Sequence, residues 1–167
     1  MRTWCVRTIV FLAASAGVLA ATVAPAGAAP YQVGAGAADH ATHTLAAILT
    51  GAQEAPGPGD PDGRGVFVAA VKGERLCYVL TSHKTEPPMA AHIHMAPRGT
   101  PGGIVVGLTP PTDGFSADCI TAVPDDQNSA MVLTKSELAA IVAHPSAFYV
   151  NTHTMSMPAG AIRGQLF

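Results

Sequence analysis

The sequence predicts an all-β domain: an antiparallel Greek-key β-sandwich or barrel of roughly eight short strands with one short helix. Three observations carry this. Residues 75–83 alternate Leu76, Tyr78 and Leu80 with Cys77, Val79 and Thr81, the period of a strand. Gly (17 copies) and Pro (14 copies) interrupt the chain so often that most runs between them are strand-length. One stretch, after Thr134, switches to helical spacing.

The elements follow in order. Arg2 and Arg7 form a basic start, residues 8–22 an apolar run, and residues 24–29 are small. Ala26-Gly27-Ala28 fits the small-x-small cleavage rule, so residues 1–28 are expected to be a signal peptide cleaved after Ala28. The alternative is an uncleaved membrane anchor, because the apolar run approaches spanning length. Residues 29–42 lack periodicity and read as a flexible lead-in to a domain over residues 43–167. Within it, residues 44–50 form a first strand. Residues 53–64 hold three Pro and three Gly and form a loop. Residues 65–73 carry Val66, Val68 and Ala70 on one face and make a hairpin with residues 75–83 through Lys72-Gly73-Glu74. Further strands are expected at residues 89–96, 104–108 and 119–123, with loops at 97–103 and 110–118.

Thr134 is a good N-cap, and Glu137 stands at capping-box spacing. Leu138, Ile141 and Val142 continue at helical intervals until His144-Pro145 ends the helix. Residues 147–154 and 161–167 close the chain as two strands joined at Met157-Pro158-Ala159-Gly160.

Charge and cysteine count narrow the function. Without Arg2 and Arg7, seven basic residues face eleven acidic ones, a formal charge of −4. There is no basic run, so nucleic acid is excluded as an expected partner. Contact with a membrane is expected only through the signal peptide, were it uncleaved. Export also sets the redox compartment. Cys5 leaves with the signal peptide, and the remaining pair, Cys77 and Cys119, points to one disulfide rather than two buried thiols. The chain-entropy model gives such a bridge about 4 kcal/mol.

The chemistry concentrates in two segments. In Ala91-His92-Ile93-His94 the strand period puts both histidines on one face; in residues 149–154 it puts Tyr149, Asn151 and His153 on one face. Three neutral imidazoles, His92, His94 and His153, are a ligand set for Cu(II), the first choice, or for Zn(II) with water in the open position. Met155 and Met157 follow His153 at even spacing as soft donors for Cu(I). Asn151, on the face of His153, is a candidate to stand behind a ligand and orient it by a hydrogen bond. The alternative is structural: imidazoles that hydrogen-bond backbone or Asn and lock two strands in register. His83 and His144 stand at element ends and His40 and His43 in the lead-in, outside the ligand set. Glu54 is paired with Arg163 only by conjecture. No nucleophile–base arrangement is legible.

Five segments occur in the order seen in the chordin-type domain, CHRD: residues 49–56 (LTGAQEAP), 77–80 (CYVL), 91–94 (AHIH), 148–154 (FYVNTHT) and 158–166 (PAGAIRGQL). The chain resembles a stand-alone, bacterial-type exported CHRD protein over residues 43–167. The resemblance implies an immunoglobulin-like barrel similar to Cu,Zn superoxide dismutase, which also carries a His-x-His pair on one strand and a late copper histidine. His92, His94 and His153 fall in comparable order. That enzyme also needs a bridging histidine and a His-rich zinc loop, and residues 97–103 contain no histidine. The expectation is therefore an exported binding protein, secreted or held at the cell envelope, rather than an enzyme. It would bind copper or an extracellular protein partner. A superoxide dismutase-like redox enzyme and a metal-free structural cell-surface interaction module are the alternatives.

Overall fold

The structure, a computed structural model, describes residues 41–167. The expected signal peptide and most of the lead-in lie outside the described residues. Eight strands form one antiparallel sheet: β1 (Thr42–Thr50), β2 (Arg64–Lys72), β3 (Arg75–Thr81), β4 (Ala90–Met95), β5 (Gly103–Leu108), β6 (Phe115–Thr121), β7 (Phe148–His153) and β8 (Ile162–Gln165). Their spatial order is β5-β4-β7-β8-β1-β2-β3-β6. The connections β3–β4 and β5–β6 pass between the two sides of the sheet, so this is not an up-and-down meander.

The sheet curls into a nearly closed barrel whose seam lies between β5 and β6. Hydrogen bonds span the seam: Ser116 Oγ donates to the Thr109 carbonyl at 2.7 Å, and Thr109 Oγ1 to Asp118 Oδ2 at 2.9 Å. The chain after β6 laces the rest of the seam. Gly107 N–H on β5 donates to the Met131 carbonyl, and Val123 bridges Thr134. An open strand edge is thereby given partners instead of being left as a template for another chain.

Alternation decides which side chains meet inside. Leu45, Leu49, Phe67, Leu76, Leu80, Ile93, Val150 and Ile162 point into the barrel and are fully or almost fully buried. Each stabilises by about 1.5–3 kcal/mol relative to exposure. β2 is apolar on both faces, and the face holding Phe67, Ala69 and Val71 is the one that faces inward, leaving Val66 and Val68 partly exposed. The helix α1 (Lys135–Ala143) carries the full capping box: Glu137 N–H donates to Thr134 Oγ1, and Thr134 N–H to Glu137 Oε2 at 2.9 Å. Leu138 and Ile141 bury into the core, and the helix stops at His144, before Pro145.

Most boundaries move by a residue or two, and three differences bear on the architecture. β6 begins at Phe115, where residues 110–118 read as loop; its polar residues meet the seam, Ser116 buried against it and Asp118 exposed along it. The β3 ladder ends at Thr81, and His83 instead exchanges two backbone hydrogen bonds with Arg64 in an isolated bridge. β1 begins two residues early, at Thr42. Cys77 and Cys119 lie directly opposite each other on β3 and β6, 3.9 Å apart at Cα, and form the disulfide.

Candidate metal centre

β4 and β7 are neighbours, with Ala90 opposite His153, His92 opposite Asn151 and His94 opposite Tyr149. Since Ala91, Ile93 and Val150 point inward, His92, His94, Tyr149, Asn151 and His153 all stand on the outer face of the barrel. β8 adds Arg163, opposite Asn151, and Gln165, opposite Tyr149. A polar second layer thus lies outside the apolar core, covered by loops.

Residues 97–102 form one cover. The Arg163 guanidinium, only 1% exposed, donates to the Pro97 and Thr100 carbonyls at 2.9 Å each, and Gln165 Nε2 donates to Ala96 O. Gly102 closes the loop onto the site, its N–H donating to the Tyr149 hydroxyl and its carbonyl facing His94 Nδ1 at 3.0 Å. A Cβ at Gly102 would come within 2.1 Å of the Met95 carbonyl oxygen, so the close approach requires glycine. Tyr149 stacks with the His94 ring at 4.7 Å, and Arg163 lies over the tyrosine ring at 3.4 Å. The conjectured ion pair of Glu54 with Arg163 is not formed: Arg163 hydrogen-bonds the loop carbonyls, and Glu54 acts on it only as a nearby charge.

The three histidines converge. One ring nitrogen of each lies within 4.8 Å of the others. His92 Nδ1 and His153 Nε2 face each other at 3.1 Å. A carbonyl can only accept, so the Gly102 carbonyl calls for the proton of His94 on Nδ1 and leaves Nε2 with its lone pair. That Nε2 is buried and has no hydrogen-bond partner. His153 Nδ1 faces the Pro158 carbonyl at 3.0 Å, the same device from a different loop. Carbonyls behind imidazoles are how metal sites fix ring tautomer and orientation.

Burial keeps the rings neutral. It drives His92 down to about 4, helped by the adjacent His153 and His94. Burial also lowers His94 and His153, partly opposed by their bonds to Gly102 and Pro158. Nearby, burial pushes Glu54 up to about 7, against the pull of Arg163 and hydrogen bonds from Ala55 and Asn151. His43, His83 and His144 are exposed and outside the cluster. Two contributors were invisible in the sequence: the Gly102 and Pro158 carbonyls are backbone atoms, which no residue pattern marks. Glu54 became part of the site only through loop burial.

Fold and site together define an antiparallel β-barrel with an imidazole cluster on its outer wall. The family model for the CHRD domain matches residues 45–166, and the chain belongs to that family. No curated protein and no solved structure shows significant similarity to the chain.

Proposed function

We propose that this is an exported CHRD-domain binding protein whose His92, His94 and His153 take up one transition metal ion, copper(II) in first place and zinc(II) as the alternative. The observation that carries this is His94 Nε2, a buried lone pair with no hydrogen-bond partner beside two other imidazoles. Leaving such an atom unsatisfied is unfavourable by about 1–3 kcal/mol, a penalty that a bound metal removes. Neutral nitrogen donors favour Cu(II) in the affinity order. The Cys77–Cys119 disulfide fits the oxidising compartment that export would reach.

The role is binding rather than turnover. Dismutase chemistry of the copper–zinc kind needs a second, histidine-bridged ligand set. Among the described residues, the three-histidine group is the one cluster with metal-ligand spacing. The test is elemental analysis of the untagged mature protein, purified from cells supplied with copper and zinc, beside His153→Ala. About one copper per chain, lost in the variant, is the expected result. No metal in either protein would make the imidazoles strand-locking groups and turn the search to protein partners.

A further inference from the structure

Asn151 stands in the middle of the cluster, opposite His92 in the ladder, and is buried. Its Oδ1 lies 3.2 Å from His153 Nε2. Its amide NH2 is turned the other way, toward Glu54, whose carboxyl Asn151 helps to hold down against the upward push of burial.

This leaves His153 with an acceptor at each ring nitrogen: Pro158 O at Nδ1 and Asn151 Oδ1 at Nε2. A neutral imidazole carries a single N–H. With the proton on Nδ1, the Nε2 lone pair faces the Asn151 oxygen. With the proton on Nε2, the Nδ1 lone pair faces the Pro158 carbonyl. Either tautomer leaves two acceptors in contact. Flipping the amide would relieve His153 but, wherever Glu54 is ionised, would turn the Asn151 oxygen onto its carboxylate. A cation between Asn151 Oδ1 and the imidazole nitrogens removes the conflict without moving any group.

The spacing agrees. Donors about 2.0–2.1 Å from a metal are about 2.9 Å from their neighbours in the square-planar arrangement of Cu(II) and about 3.3 Å in the tetrahedral one of Zn(II), and the pairs here fall between. The pairs His92 Nδ1–His153 Nε2 and Asn151 Oδ1–His153 Nε2 are 3.1 and 3.2 Å. Glu54 is built into place. A Cβ at Gly160 would come within 2.6 Å of both of its carboxylate oxygens, and one at Gly59 within 2.9 Å of its Cγ. Two glycines therefore hold open the slot this side chain fills, and its buried Oε1 has no hydrogen-bond partner there.

We infer that Asn151 is itself a ligand, so that the metal proposed above, on whose three-imidazole reading this rests, is held by three nitrogens and one amide oxygen. Glu54 is a positioning residue: it holds the amide so that the oxygen, not the NH2, faces the metal.

The test adds one equivalent of Cu(II) to metal-free protein and reads affinity and the electron paramagnetic resonance spectrum. Asn151→Ala is expected to weaken binding at least about tenfold and to alter the spectrum. Asn151→Asp, which keeps an oxygen at the same place, is expected to bind at least as tightly as wild type with a changed spectrum. Glu54→Ala should weaken binding in wild type but not in the Asn151→Asp background, where there is no amide to orient. A spectrum identical in wild type and Asn151→Ala overturns the oxygen ligand while leaving the three imidazoles in place. Wild-type protein that takes up no Cu(II) overturns both. Should Asn151→Ala fail to fold by circular dichroism, Asn151→Asp decides: an unchanged spectrum there also overturns the assignment.

Discussion

His92 is neutral at pH 7 because burial and two adjacent imidazoles penalise its charged form, and this has a measurable sign in metal-free protein. All three imidazoles titrate below 6.5 in the folded state, so between 6.5 and about 4 the unfolded chain binds more protons. Stability present above that window is lost as the pH falls through it. Glu54 works the other way. Raised from 4.5 to about 7, it gives the native state the extra proton between those values, a contribution lost as the pH rises toward 7. Glu54→Gln should therefore steepen the loss of stability on acidification from pH 7 to 5, read as melting temperature by circular dichroism. An unchanged slope would show that Glu54 titrates normally.

At the scale of elements, two devices pin the edges. The Cys77–Cys119 bridge ties edge strand β6 to β3 and closes a loop with a sequence separation of 42. Reducing it should lower unfolding free energy by up to about 4 kcal/mol in urea denaturation. The Thr134–Glu137 capping box starts the helix that covers part of the core, and Thr134→Ala should lower stability by about 1 kcal/mol in the same assay. These elements were also the most legible. The helix was readable because Thr134, Glu137 and His144-Pro145 act locally, and β3 because its inner and outer positions differ. β6 was misread because its polar residues answer to a seam, a long-range feature that Ser116 and Asp118 cannot announce. The His92–His94 and Asn151–His153 faces were legible from period alone. That the two strands are neighbours, and that both faces point outward, depends on register set by the whole sheet.

For the molecule as a whole, core and site occupy opposite sides of the same strands. His92→Ala with His94→Ala should abolish tight copper binding yet leave the far-ultraviolet circular dichroism spectrum unchanged. Ala91 and Ile93 remain in the core, so collapse of the fold in the double variant would contradict this separation. Alternation along β4 and β7 makes the two layers separately heritable. Ala91 and Ile93 of β4 and the even-numbered positions of β7 keep the barrel, and their neighbours hold the imidazoles. A descendant could exchange every ligand for another side chain without disturbing its interior. Shared ancestry would then be written in one set of letters, and chemistry in the set between them.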